Sequence, residues 1–188
     1  VNHNDESEVI TDDKFVRIEL SNQANQAHIF AQQIDLFVQT EIHPAIVQFE
    51  GFEFLPRHRA ITKYYPHHSL QHILQNQARY PQWNGTMKSK CVFGIVAAMT
   101  HLHNIYDDTI PDFAIRYLHP ENVMFDELDQ VRIINYVYGD ENIETPAAYI
   151  PPELHENPDA EHYDQDIWCF GMILYEILTG HAPFAGLS

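Results

Sequence analysis

One stretch limits what this chain can fold into: Asp166-Ile167-Trp168-Cys169-Phe170-Gly171-Met172-Ile173-Leu174-Tyr175-Glu176-Ile177-Leu178. It is apolar nearly all round, the pattern of a helix buried on every side. The twelve residues Ile167 to Leu178 are too few to span a bilayer, and Glu176 interrupts them, so they predict a core helix rather than a membrane one. Asp166 is expected at the helix start, where a carboxylate suits the free N–H groups and the positive dipole end. Gly180 after Thr179 supplies a left-handed cap, and Pro183 blocks continuation.

The surrounding chain can supply that burial. It has 188 residues, 45% of them hydrophobic, which predicts one ordinary domain rather than a disordered segment. Lys plus Arg total 10 against 27 Asp plus Glu, a formal charge of -17. That field repels nucleic acid and anionic lipid, so neither is an expected partner, and no membrane insertion is expected. Cys91 and Cys169 both sit in apolar helical patterns and are expected as free, buried thiols of a reducing compartment. The N-terminal residues lack a basic, apolar leader, so a cytoplasmic location is expected. The first residue is Val1, which reads as a piece of a longer protein.

In chain order, residues 1–13 form an acidic lead-in. Phe15 to Leu20 alternates apolar and charged residues, as a strand does. Ala27, Phe30, Ile34 and Phe37 have helical spacing across 24–39. A turn at His43-Pro44 leads into a strand through Phe49 that resumes past Gly51, and Ala60 to Tyr65 forms another, stopped by Pro66. Ser69 caps a helix over 70–77. A longer helix is expected over 87–103, with Cys91, Val92, Ile95, Val96, Met99 and Leu102 on its apolar face. Val123–Phe125 and Val131–Ile134 pair around a turn. Strands first and helices after give an α+β domain.

Several short motifs then fall in one order. His43-Pro44-Ala45-Ile46-Val47 is followed by Ile61-Thr62-Lys63-Tyr64-Tyr65-Pro66 and His101-Leu102-His103. Ile115-Arg116-Tyr117-Leu118-His119-Pro120-Glu121-Asn122 comes next, then Thr145-Pro146 through Tyr149-Ile150-Pro151-Pro152-Glu153, and last Asp166-x-Trp168-x-x-Gly171. Together they resemble a eukaryotic protein kinase domain across residues 14–188. The resemblance implies a two-lobe fold: a small β-rich lobe and hinge over 14–66, and a helical lobe over 67–188. No Gly-rich phosphate loop precedes the first strand, because the first glycine is Gly51. The family's last helices, one of which supplies an arginine partner for Glu153, would follow Pro183-Phe184. Glu153 is therefore expected either unpaired, at a cost, or exposed.

The resemblance also assigns roles. Thr62 falls at the gatekeeper position, and Lys63, Tyr64 and Tyr65 on the strip that would face an adenine. The proton-accepting carboxylate is replaced by Tyr117, a phenol protonated at neutral pH. The Mg²⁺ carboxylate is replaced by Asn135, which removes a full charge from a hard-cation site. The phosphate lysine falls at Glu19, its helix partner at Gln33, and the lysine that assists transfer at His119. Asn122 and Arg116 keep the family's residue types, Asn122 as a metal ligand and Arg116 as a salt-bridge or phosphate-binding residue. Glu153, Asp166, Trp168 and Gly171 carry structural roles, with Asp166 expected to accept backbone N–H groups near Arg116 and Tyr117.

Losing a general base alone costs about 10²–10⁴-fold, and groups that act as a unit leave little after the first loss. The expected function is a degenerate, noncatalytic kinase-like module for protein–protein contact. No cofactor and no metal are expected, with Asn122 and Asn135 the sole metal candidates. The alternatives are an unconventional kinase using ATP and Mg²⁺, and a nucleotide-binding switch without transfer. His67, His68 and His72, and likewise His101 and His103, are expected as solvated histidines rather than metal ligands. Asp107, Asp108 and Asp112 are expected in a solvated loop.

Overall fold

Alternating apolar and charged side chains make Phe15–Glu19 a strand, β2, flanked by the short β1, Ile10–Thr11. Strands β3, Phe49–Glu53, and β4, Arg59–Lys63, complete an antiparallel sheet of order β1-β2-β4-β3. In this computed structural model the described residues are 10–11, 15–19, 43–53, 59–107, 115, 118–134, 146–156 and 163–186. The helix expected over 24–39 lies outside them. Along β4, Ala60 and Thr62 are buried while Arg59, Ile61 and Lys63 are half-buried, the period-two pattern of a strand covered on one side.

The stretch before β3 behaves differently from expectation. Residues 45–47 do not begin that strand. The Ile133 N–H donates to the Ala45 carbonyl at 2.8 Å and the Val47 N–H to the Ile133 carbonyl at 2.9 Å. A parallel bridge between Ile46 and Ile133 results. These fully buried residues therefore tie the segment before the sheet to the helical half.

Helix α1, Leu70–Gln75, starts where Ser69 Oγ accepts the His72 N–H at 3.4 Å. It stops two residues before the expected end, because Asn76 turns its N–H and its side-chain amide back onto the last carbonyls. Helix α2, Gly85–Asp107, is longer than expected at both ends. Asn84 Oδ1 accepts the N–H groups of Thr86 at 3.0 Å and Met87 at 3.2 Å, which starts the helix ahead of its apolar stripe. Cys91, Ile95, Ala98, Met99 and Leu102 form the buried face, whereas Val96, expected on it, is exposed.

A 3₁₀ turn at Pro120–Asn122 feeds β5, Val123–Phe125, which pairs with β6, Val131–Ile133. Asp126 holds the turn between them. Its Oδ1 accepts the N–H groups of Leu128 and Gln130, both at 2.9 Å, and its Oδ2 takes the Arg132 guanidinium at 2.8 Å. Burial works against ionising Asp126, but the two amides and Arg132 win, and its pKa lies below the usual carboxylate range.

After the short helix α3, Pro152–Glu156, helix α4 runs from Tyr163 to Thr179. It begins three residues before Asp166, which therefore sits inside the first turn rather than ahead of it. Gly180 ends the helix at φ 74°, and its N–H reaches the Glu176 carbonyl at 2.8 Å. The expectation of burial on every side fails. Cys169, Ile173 and Ile177 are buried, but Ile167 is 57% exposed, Tyr175 46% and Leu178 69%. An apolar composition states what a helix would bury, not how many neighbours it meets. Here α2 and the 3₁₀ turn Ala147–Tyr149 cover one face. Trp168, Phe170 and Leu174 are half-buried at the edges of that face. One apolar cluster joins residues 45–47, α1, α2, the β5–β6 hairpin and α4.

Candidate functional site

Where the helical half meets Ile115, the Asp166 carboxylate lies fully buried. Its Oδ2 accepts the Ile115 N–H at 2.7 Å and stands 2.8 Å from His103 Nε2. The expected reach of Asp166 to the backbone next to Arg116 and Tyr117 is thus made at the residue immediately before them. Arg116, Tyr117, Gln33 and Asn135 themselves lie outside the described residues. His103 was expected to be solvated. It instead joins α2 to α4 through this carboxylate.

The turn beyond Leu118 carries His119 and Asn122, both buried. Asn122 Nδ2 and His119 Nε2 are 3.0 Å apart. An amide nitrogen only donates, so Nε2 is the acceptor, and a neutral His119 ring carries its proton on Nδ1. Burial favours that neutral ring and lowers the His119 pKa, against a smaller opposing pull from Glu121. The Asn122 backbone carbonyl accepts the N–H of Ile134, the residue before Asn135, at 2.9 Å.

On the sheet side, Thr62 is buried. The β2–β4 register pairs Val16 with Thr62, Ile18 with Ala60 and Glu19 with Arg59. Paired positions share a side of an antiparallel sheet. The position of Glu19 thus belongs with Arg59, and Val16 and Ile18 occupy the positions that share the side of Thr62 and Ala60.

The hinge strip is also committed to contacts of its own. Lys63 donates its N–H to the Gln48 carbonyl at 2.9 Å, and its Nζ stands 3.5 Å from Glu127 Oε2. Tyr64 is half-buried. Tyr65 is buried with its hydroxyl accepting the Gln48 N–H at 3.0 Å, and burial raises its pKa.

Opposite α4, the 3₁₀ turn Ala147–Tyr149 is fastened by three hydrogen bonds. Trp168 Nε1 donates to the Ala148 carbonyl at 3.2 Å, and Cys169 Sγ to that of Tyr149 at 3.1 Å. The Tyr149 hydroxyl donates to Glu176 Oε1 at 2.8 Å in the interior. Burial, then the Glu176 carboxylate, push the Tyr149 pKa up, and burial raises that of Glu176. Both cysteines are free and buried, with burial the main cause pushing each thiol up to about 12. Glu153 is exposed, which leaves it no desolvation cost to offset. No described atom lies within 4 Å of a Cβ built on Gly171.

The Tyr149–Glu176 pair was missed in the sequence. Its signal is Glu176 itself, a carboxylate set in an apolar run that must find a donor. The His43–His101 pair was missed as well: the two rings stack at 4.4 Å, joining the segment before the sheet to α2. His68 and His72 also stack, at 3.9 Å. Among the described residues, no group of three or more His, Cys, Asp or Glu side chains could hold a metal ion.

Comparison with known proteins agrees with this geometry. No described helix is long and apolar enough to cross a membrane. The chain is similar to a plant protein named "Probably inactive leucine-rich repeat receptor-like protein kinase" from Arabidopsis thaliana, 22% identical over 75% of this chain and 15% of that protein. It is 24% identical to the serine/threonine-protein kinase RUNKEL of the same plant, over 76% of this chain and 10% of that protein. It is 25% identical to the serine/threonine-protein kinase Sgk1 of Fundulus heteroclitus, over 93% of this chain and 42% of that protein. The chain thus spans well under half the length of these relatives. A family model described as the protein kinase domain matches residues 3–188, and the chain belongs to that family.

Proposed function

We propose that this chain is a catalytically degenerate protein kinase domain that works through protein–protein contact. The observation that carries the reading is His119: a buried imidazole, accepting from Asn122 Nδ2 at 3.0 Å, stands where the family has the lysine that assists transfer. Mg²⁺ and a triphosphate would be poorly held here: Asn122 keeps the family's residue type, but the other metal position has the neutral Asn135 in place of a carboxylate, and Glu19 stands at the position of the phosphate lysine. The sequence supports the same reading with Tyr117 at the base position and Asn135 at the second metal position.

A melting curve with and without Mg²⁺-ATP tests this. A ligand at a hundred times its Kd adds about 2.7 kcal/mol of stability. No shift is expected. A shift without phosphate transfer to protein would favour the nucleotide-switch reading, and transfer would favour an unconventional kinase. Tyr117→Asp alone is expected to leave transfer absent, because the metal position at Asn135 stays neutral.

A further inference from the structure

A groove of about 570 Å³ runs along α2, walled by His43–Ala45 on one side and Gln130–Val131 on the other. Thr86, Lys90, Phe93 and Ala97 line it at helical spacing, so one stripe of the helix faces it. Its floor is Gly94, where α2 lies so close to β6 that an added Cβ would stand 2.7 Å from the Val131 Cβ. Phe93 is 75% exposed, a large apolar side chain with no cover.

Charge separates this groove from the rest of the molecule. The chain carries -17 overall, yet residues 85–106 contain no Asp or Glu. Lys90, the cation that lines the groove, has no ion-pair partner among the described residues. Two acids of the neighbouring β5–β6 turn are held by cations: Asp126 holds Arg132 and Glu127 meets Lys63. The third, Asp129, stands 3.6 Å from His67 Nδ1. The result is an apolar trough whose lining carries one cation, unpaired among the described residues, on an acidic protein. An aromatic at the rim of a trough is the usual anchor partner of a bound segment, and local charge opposite to the net charge selects who docks.

We infer that this groove docks a short acidic segment of a partner protein, with an aliphatic or aromatic anchor between Phe93 and Val131 and a carboxylate at Lys90. A basic segment would meet Lys90 directly, and the net charge would not rescue it at short range. The inference is independent of whether the domain transfers phosphate, because no residue of the groove belongs to the His119–Asn122 site.

The test is a selection of random decapeptides displayed on phage against the intact chain, followed by binding of fluorescein-labelled copies of the winners. The winners are expected to carry Asp or Glu beside Leu, Ile or Phe. Phe93→Ala and Lys90→Glu should each weaken binding about tenfold, the size of one lost anchor or one reversed charge. Leu128→Ala, at an exposed residue that does not line the groove, should leave binding unchanged. Melting curves of all three variants should match the parent, so that lost binding is not lost fold; should Lys90→Glu melt early, Lys90→Gln replaces it. No enriched peptide, winners that are basic or uncharged, or binding indifferent to both groove variants would each overturn the inference. Light scattering adds the remaining outcome: a dimer that Phe93→Ala dissolves assigns the groove to a second copy of this chain instead.

Discussion

The Tyr149 hydroxyl donates a 2.8 Å hydrogen bond to the buried Glu176 carboxylate and so fastens the 3₁₀ turn at 147–149 to α4. Tyr149→Phe removes the donor and leaves the carboxylate unsatisfied, at a cost of about 1–3 kcal/mol. The pH dependence follows from Glu176. Burial raises its folded pKa above the ordinary 4.5, so the folded state holds this proton more tightly than the unfolded state does. That contribution is present below pH 4.5 and is lost as pH rises through the folded value. Glu176→Gln keeps a carbonyl acceptor for Tyr149 and removes the titration. Relative to the parent, its Tm should therefore rise steadily as pH goes from below 4.5 to neutral. A constant difference across that range would show that burial does not raise the Glu176 pKa.

Asp166 and Asn122 make different demands on the fold. Asp166→Ala frees the Ile115 N–H and the His103 ring together and should cost at least about 1–3 kcal/mol. Asn122→Ala removes the contact with His119 and should cost about 1 kcal/mol, one buried hydrogen bond. Denaturant midpoints should thus rank Asp166→Ala below Asn122→Ala, and both below the parent. The reverse order would place a further role on Asn122.

Gly94 and Gly171 are both helical, and their alanine variants should move stability in opposite directions. At Gly171 no described atom lies within 4 Å of the added Cβ, so helix propensity decides, a gain of up to about 1 kcal/mol. At Gly94 the Cβ meets backbone-anchored Val131 Cβ at 2.7 Å, and overpacking of this kind costs about 1–3 kcal/mol. Thermal melts of the two variants should fall on either side of the parent. A stabilised Gly94→Ala would mean that β6 moves away freely from α2.

What was legible in the sequence was local. Gly180 ends α4 because a positive φ is a demand of one residue, and Ser69 caps α1 because its hydroxyl reaches a neighbour three positions on. The expectation that Asp166 accepts backbone N–H groups near Arg116 and Tyr117 came through family resemblance and not through any property of the helix it sits in; the observed donor is the Ile115 N–H. Tertiary relationships were not legible. Nothing near Glu176 names Tyr149, which is 27 positions away, and nothing near His103 names Asp166. Exposure of Ile167 and Leu178 depends on which neighbours arrive, which composition does not encode. At Glu19 the parity of a single strand decides, since a shift by one residue exchanges its sides. The reading of Tyr117 and Asn135 as degenerate positions rests on residue identity, and biochemical tests of it do not depend on the sheet register.

His43 and His101 should give this domain its acid sensitivity. Their rings stack at 4.4 Å and 15°, and the His101 Nε2 is buried without a hydrogen-bond partner among the described residues. His43 Nδ1 accepts the Ala45 N–H at 3.2 Å, so that nitrogen must stay unprotonated for the segment to hold. Burial, then His101, then Arg132 lower the His43 pKa, and burial lowers that of His101. Both folded values lie below the ordinary 6.5, so the unfolded chain binds these protons more readily. The stability from the neutral pair is complete above pH 6.5 and is lost as pH falls through the folded values. His119, lowered by its own burial, adds to the same slope. His101→Phe keeps a ring in the stack and removes one titrating group and its repulsion of His43. Plotted against pH below 6.5, the Tm of this variant should fall less steeply than that of the parent. Parallel slopes would show that the acid loss of stability arises elsewhere, and would leave the stacked pair a packing contact alone.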